Sequence, residues 1–531
     1  MKASLVAFLW AFSAIASAQD VFESSDFNVV EALANNGVNV STIPALAGLS
    51  EKRAVSTGCT AACVALKTIF GNKLLTSGSP AYDAFTSGYW SVQAAFVDPA
   101  CVAKPSIAQD LSILVLMSRL TQCPFAVKGG GHTAFPGASS IQDGITINME
   151  DMNEITLSSD QKTAFIGPGN RWGSVYEKLG QHGLAVIGGR ASEVGLGLVL
   201  GGGISHHSSI YGYACDNIAS FEVVTAAGAL ITVTQTIHPD LYWALRGGGN
   251  NFGIVTRFEM ETIPQGLMWG GTRVHPEATY PLVIDAFASM AEDASKDPNS
   301  AQILSFALAA GQSAAQIQLE YLKPVDELNP PAILKKYLNI TSIHTDTMNR
   351  TLANDTSLIT DQMPKGHRYA FWASTFKLDR DLMNWLQERH RKDFAAMPNK
   401  GSLTFQVFTV PAMRRMSRKG GNALGPSPTD GPLMHSLLYL VWSDASQDTN
   451  IQRAAQNFIS TAKTEAKRRG KYHDFIYLNY AGPYQNVIPS YGKEKLARLK
   501  AVSKMYDPAG VFQKLQPGGF KLEGAPFGER I

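Results

Sequence analysis

A chain of 531 residues is too long to close around one ordinary hydrophobic core, so at least two domains are expected. Its 45% hydrophobic and 17% charged residues are ordinary for a globular protein. A net charge of +2 gives no basis for binding nucleic acid or an anionic membrane, and neither is expected as a partner.

The N-terminus opens with Lys2, continues with an apolar run over residues 5–15 and ends in Ala16-Ser17-Ala18. A basic start, a short apolar stretch and a small-x-small site describe a secretory signal peptide over residues 1–18, hence a secreted product. The run is too short to span a bilayer and no later uncharged run matches it, so no membrane association is expected after its removal. The cysteines agree with export. Cys59, Cys63, Cys101 and Cys123 cluster, which suggests two disulfides with three possible pairings, and Cys215 stands apart as a buried thiol. The CxxxC spacing resembles a zinc ligand pair, but no second pair follows it. Asn39, Asn339, Asn349 and Asn354 lie in sequons and become glycosylation candidates on export.

Residues 19–56 are polar and weakly patterned and read as a poorly ordered arm. Residues 57–70 have helical spacing. Ser106 and Gln109 resemble a capping box opening a helix that runs to about Leu120. A strand at 125–127 ends in the first glycine cluster, and further strands are expected at 144–148, 155–157 and 163–166. Residues 171–181 place Trp172, Val175, Tyr176 and Leu179 on one helical face. A strand at 184–187 feeds the central glycine run. Strands at 221–225 and 230–234 flank a hairpin signal, Pro239 starts a short helix, and 254–262 is a strand. Beyond Pro264 the texture changes. Strands at 303–309, 316–322, 403–410, 437–442 and 475–480 alternate with helices at 280–294, 379–394 and 451–469. That pattern predicts an antiparallel sheet with helices on one face, an α+β arrangement. Residues 414–431, rich in basic residues, Gly and Pro, read as a mobile loop, and 506–512 as a turn with an apolar anchor.

Three glycine clusters punctuate the first half. They are Gly129-Gly130-Gly131, the run 188–203 with seven glycines, and Arg246-Gly247-Gly248-Gly249 leading to Gly253. Glycine loses more entropy on folding than any other residue, so dense clusters need a reason, and close approach of backbone to a polyphosphate cofactor is one. Gly195, Gly197 and Gly201, with Asp216 about twenty residues on, imitate a dinucleotide fingerprint. The third glycine is displaced, however, and 204–209 is a poor helix start. His206 and His207 are not read as metal ligands, since neighbours on a strand point apart and no acidic residue is close in sequence; no metal is expected.

KGGGHT (128–133), LGGGIS (200–205), YGYACDN (211–217), RGGGNNFGIV (246–255), YLNY (477–480) and YDPAGVF (506–512) occur in one chain in this order. Together they resemble the FAD-linked oxidases of the berberine bridge enzyme-like group, with the vanillyl-alcohol oxidase/PCMH-type fold, and the look is of a secreted fungal branch. The resemblance covers nearly the whole chain after about residue 55 and is strongest over 80–262. It implies an FAD domain of two subdomains over 57–263, a substrate domain over 264–474, and a C-terminal segment over 475–531 that returns to the FAD domain. It implies a covalent link from His132 to the flavin 8α-methyl group. Relatives with a second link use a cysteine where this chain has Ala191, so a single link is expected. Lys128, Gly129, Gly130, Gly131, Thr133, Val194, Gly195, Gly201, Gly202, Gly203, Tyr211, Gly253, Ile254, Val255 and Asn479 are the remaining cofactor-binding candidates. A small residue at Val194 accompanies oxidase activity in the family.

Tyr480 is the expected catalytic base, by the same resemblance; Tyr477 is read as packing on Asn479's face of a strand. Loss of hydride from a C–H bond requires a proton to leave the neighbouring O–H or N–H, and a base must take it. The expected activity is an FAD oxidase acting on an alcohol or amine centre of a small secondary metabolite, with dioxygen as second substrate and a monomeric protein. A sugar oxidase, a dehydrogenase using another acceptor and a flavin-holding cyclase are the alternatives.

Overall fold

The computed structural model describes residues 22–24, 26–46, 58–309, 312–397 and 400–531; the segment read as a signal peptide lies outside them. Among the described residues the strands form three sheets. The first runs Leu74–Thr76, Cys101–Ala103, Ile145–Asn148, Phe125–Lys128. Its first pair is antiparallel and the other two are parallel. Parallel strands are covered on both faces, and every residue of Ile145–Asn148 is buried. The covering helix Ala108–Thr121 buries Leu111 through Leu120 nearly all round, as a core helix should. It begins later than its sequence suggests. Ile107 is the N-cap, so Asp110 holds the third helical position and accepts from the amides of Ser106 (2.8 Å) and Ile107 (3.4 Å). Gln109, expected in that role, reaches across to the Asn36 carbonyl instead.

Two disulfides staple this unit. Cys59–Cys123 and Cys63–Cys101 fasten the helix Gly58–Phe70 to the sheet, and Cys215 is free and buried. The described part of the N-terminal arm is folded, contrary to expectation. Asn28 caps the helix Val29–Asn35, and Leu33, Val38, Val40, Ile43 and Leu46 enter the first core. Glu23 and Arg119, both buried, pair at 2.7 Å. The arm's apolar residues are sparse, but nearly all of them are used, which a periodicity count does not detect.

The second sheet is antiparallel, in the order Ile155–Leu157, Thr163–Ile166, Ile254–Pro264, Ile218–Val224, Leu230–Thr234, with Leu184–Val186 also on Ile254–Pro264. The helix Trp172–Gly180 packs Trp172, Val175, Tyr176 and Leu179 into its core, the face read from the spacing.

The third sheet has nine strands and is antiparallel throughout. Met268–His275 and Arg368–Lys377, both unanticipated, join Ser300–Ala309, Gln312–Tyr321, Lys400–Phe408 and Leu433–Trp442 in it. Strand alternation splits these residues between two faces. Leu304, Phe306, Ile317, Leu319, Leu403, Phe405, Leu438 and Leu440 pack against the helices Tyr280–Glu292, Arg380–Phe394 and Asp448–Arg468. Ser305, Gln316, Gln318, Thr404, Gln406 and Tyr439 point the other way. The result is the expected α+β layering with helices on one face.

Two expectations fail here. Residues 475–480 do not form a strand; Leu478–Tyr480 is a 3-10 turn, and the Tyr477 hydroxyl accepts from the amides of Gly203 and Ile204. Apolar alternation over six residues does not reveal whether a neighbouring strand edge is available. The stretch 414–431 is pinned rather than loose. Arg418 and Lys419 pair with Glu261 at 3.1 and 2.8 Å, Asn422 donates to Asp216, and the Ala423 amide donates to the Arg246 carbonyl. Among the described residues no helix is long and apolar enough to cross a membrane.

The disulfide pattern sets a countable outcome. Denatured, non-reduced protein should expose one reactive thiol and fully reduced protein all five. Three or more thiols before reduction would contradict the pairing.

Candidate active site

A cavity of about 1160 Å³ lies between the glycine-rich loops and the open face of the third sheet. Single small-molecule pockets occupy about 300–1000 Å³, so this space accommodates a large cofactor with a substrate beside it. Gly129, Gly130, Gly131, His132 and Thr133 form one edge; Val194 and Gly195 lie next to them; Gly253, Ile254 and Val255 form a third border; Asn479 and Tyr480 come from the C-terminal turn.

The loop edges meet backbone to backbone. A Cβ on Gly130 would lie 2.6 Å from the Gly195 nitrogen, and one on Gly195 would lie 2.4 Å from the Gly130 nitrogen. Only glycine permits that approach. Gly201, Gly202 and Gly203 do not line the cavity. A Cβ on Gly201 would meet the Asn479 Oδ1 at 2.3 Å, and Gly202 and Gly203 have φ of +107° and +84°. Gly201 makes room for the C-terminal turn, where Asn479 donates to the Leu198 carbonyl and to the Tyr477 hydroxyl, each at 2.9 Å, and the Gly203 amide donates to the same hydroxyl. Tyr211 and Lys128 also lie off the cavity. Lys128 extends away, its Nζ 5.1 Å from the Phe85 ring centroid and 5.4 Å from that of Tyr89. Burial lowers its ammonium to about 8.

His132 is half-buried at the cavity wall, and its ring stacks on Trp90 with centroids 4.1 Å apart; Trp90 stacks in turn on Tyr369 at 3.8 Å. Burial lowers the imidazole to about 4, so it is neutral and keeps a free lone pair near pH 7.

Tyr480 meets a cation. Arg190, 9% exposed, donates through Nη2 to the Tyr480 hydroxyl at 2.8 Å and to the Gln406 Oε1 at 2.5 Å. One guanidinium thereby joins the glycine run, the third sheet and the C-terminal turn. His435 stacks on Tyr480 with centroids 5.4 Å apart. It is fully buried, and neither ring nitrogen has a partner. Burial, reinforced by Arg190, lowers its imidazole to about 3.

A family model described as an FAD binding domain matches residues 99–234. The chain is 37% identical over 453 residues to an FAD-dependent monooxygenase of Cochliobolus heterostrophus, covering 82% of this chain and 87% of that protein. It is 35% identical over 476 residues to an FAD-dependent monooxygenase of Emericella nidulans, covering 87% and 98%. Among solved structures, glucooligosaccharide oxidase from Acremonium strictum superposes with a TM-score of 0.70 at 20% identity over 84% of this chain and 96% of that one. The berberine bridge enzyme-like protein 1 of Physcomitrella patens gives 0.71 at 18% over 86% and 99%. The chain belongs to the family of these fungal FAD-dependent proteins and is an FAD-linked oxidoreductase. Its fold is that of the berberine bridge enzyme-like proteins.

In that family frame, the cavity fits FAD on its own geometry. The Gly130–Gly195 contact leaves a cradle without side chains, where backbone amides can face a pyrophosphate. His132, Val194, Ile254, Val255 and Asn479 stand along the same cavity. Sequence reasoning marks Arg190 only as a charge in the glycine run and misses Gln406, His435, Trp90 and Tyr369. An arginine in a stretch otherwise nearly free of charge is the available signal for the first. The others come from strands and turns remote in sequence, and nothing local marks them.

One expectation about metals is corrected. His206 and His207 lie in a turn, and they diverge: His207 Nε2 contacts Gln265 at 2.6 Å, whereas His206 Nε2 lies 3.4 Å from Asp355 Oδ2. Acidic partners are therefore close in space, supplied by residues about 115 and 150 positions later, namely Glu320 and Asp355. Burial raises the Asp355 carboxyl to about 6 and moves Glu320 further in the same direction.

Gly130→Ala should act on cofactor retention. The added methyl forces the two loops apart at an expected cost of about 1–3 kcal/mol. Purified protein should show a lower ratio of 450 nm to 280 nm absorbance than wild type, and a lower melting temperature. An unchanged ratio would mean that the loop contact does not shape the cofactor site.

Proposed function

We propose that the protein is a secreted oxidase that removes the elements of dihydrogen from an alcohol or amine centre of a small secondary metabolite and reduces dioxygen to hydrogen peroxide. The observation that carries this reading is the Arg190–Tyr480 hydrogen bond inside a cavity that also contains His132. Bound FAD supplies the hydride-accepting chemistry, held through one covalent bond from His132. A neutral imidazole at the cavity wall suits that attachment, and alanine at position 191 leaves no second one.

Tyr480 takes the proton from the substrate O–H or N–H. Arg190 donates to the same oxygen, so negative charge developing there is met by a fixed cation. Gln406 holds the guanidinium in place from the sheet. The sheet face offers Ser305, Gln316, Gln318 and Thr404 to a polar substrate, whereas Phe371, Leu437 and Val441 add apolar surface. That mixture suits a partly aromatic or polyketide-like molecule with hydroxyl or carbonyl groups. Val194, small and at the cavity wall, leaves room for dioxygen.

A second reading is oxygen insertion, because the fungal relatives are named FAD-dependent monooxygenases. Peroxide yield and product mass separate the two. An oxidase releases one peroxide per substrate and puts no label from ¹⁸O₂ into product; a monooxygenase puts one labelled atom into product and releases little peroxide.

Tyr480→Phe should keep bound flavin and its spectrum and slow anaerobic flavin reduction by roughly 10²–10⁴-fold, the usual worth of a general base. Flavin should stay with denatured wild-type protein and be released from denatured His132→Ala. Wild-type reduction rates in Tyr480→Phe would move the base to another residue.

A further inference from the structure

His206, Glu320 and Asp355 belong to three different elements. His206 follows the central glycine run, Glu320 lies near the end of the strand Gln312–Tyr321, and Asp355 is in the helix Leu352–Asp361. Their side-chain ligand atoms lie within 4.8 Å of one another. His206 is 3% exposed and the two acids are fully buried. His206 Nε2, Glu320 Oε2 and both Asp355 carboxylate oxygens have no hydrogen-bond partner. Gln318 donates to the other Glu320 oxygen at 2.6 Å. Arg350, the cation that acts on both acids, commits its Nη2 to the Asp346 carbonyl.

Two buried carboxylates with three of their four oxygens unpartnered are costly, and so is an imidazole nitrogen left bare among them. The arrangement has a physical remedy. We propose that these three side chains bind one divalent transition-metal cation that joins the FAD-binding half of the molecule to the third sheet. A +2 charge neutralises both carboxylates and gives every orphaned atom a partner. The imidazole disfavours calcium and magnesium, which take oxygen ligands, and one nitrogen with two carboxylate oxygens suits zinc. None of the three side chains lines the cavity, so the cation is structural rather than part of substrate chemistry. Glycine at position 270 is part of the site's design, since a Cβ there would lie 1.5 Å from Glu320 Oε2.

The rival occupant is a proton shared between the two acids. Metal analysis of the flavin-loaded enzyme, prepared without an affinity tag, incubated with zinc chloride and desalted, decides between them. About one zinc per chain is expected, with a fall in melting temperature on treatment with a strong chelator. Glu320→Gln and Asp355→Asn keep side-chain shape and should each lower retained zinc by at least about ten-fold, while flavin absorbance persists. Wild-type enzyme retaining less than a tenth of an equivalent overturns the proposal, as does full retention by both variants. Should the variants fail to fold, anomalous scattering at the zinc edge from zinc-soaked wild-type crystals tests the site directly: a peak among these three side chains supports it, and the absence of one refutes it.

Discussion

The active site depends on one steric constraint: two loops 65 residues apart in sequence touch through bare backbone. Gly130 and Gly195 approach so closely that a methyl group on either would collide with the other's nitrogen. This contact fixes where His132 emerges from the first loop and where Val194 emerges from the second. The run then continues into Gly201, whose missing side chain admits Asn479 and Leu478 of the C-terminal turn, and into Gly202 and Gly203, which give room to Leu424, Ala214 and Leu198. The glycines thus serve two purposes. Some clear space for a cofactor, and others clear space for the segment that carries Tyr480. Their entropic cost on folding is offset by the packing they allow on both sides of one wall.

Arg190 converts that packing into chemistry. It leaves the glycine run, passes beside the cavity and bonds to Gln406 on the sheet and Tyr480 on the C-terminal turn. A buried guanidinium is tolerated only with good partners. Here the partners are a neutral amide and a phenol, neither of which cancels its charge. The cation therefore keeps an uncancelled charge at the cavity wall. The sheet contributes by alternation alone. Leucine and phenylalanine on one face of each strand hold the helices, so the residues between them are free to be polar and face the cavity.

Local sequence carries most of the first 260 residues. Helix and strand periods there coincide with chain neighbours, and the glycine motifs are contiguous. It carries less of what depends on distant partners. Residues 475–480 alternate like a strand, yet Tyr477 satisfies the amides of Gly203 and Ile204 instead of extending a sheet. The basic stretch at 414–431 looks solvated until Glu261 is placed beside it. Asp355 and Glu320 are ordinary in their own segments and become significant only where the fold brings them to His206. The strand Arg368–Lys377 escapes a pattern search because RYAFWASTFK is mostly buried on both faces and lacks clean alternation.

A histidine behind the cavity wall bears on the base proposed above. His435 stacks on Tyr480, and a histidine is the commoner general base. Its protonated form would be an imidazolium fully buried beside Arg190, without any hydrogen-bond partner. Burial and that neighbouring charge lower it to about 3, which makes it too weak to take a proton near neutrality. The same guanidinium donates to the Tyr480 hydroxyl at 2.8 Å. Arg190 therefore disfavours protonation of His435 while standing in direct hydrogen-bond contact with Tyr480, so of the two stacked rings His435 is the one that its surroundings rule out as a proton acceptor near neutrality.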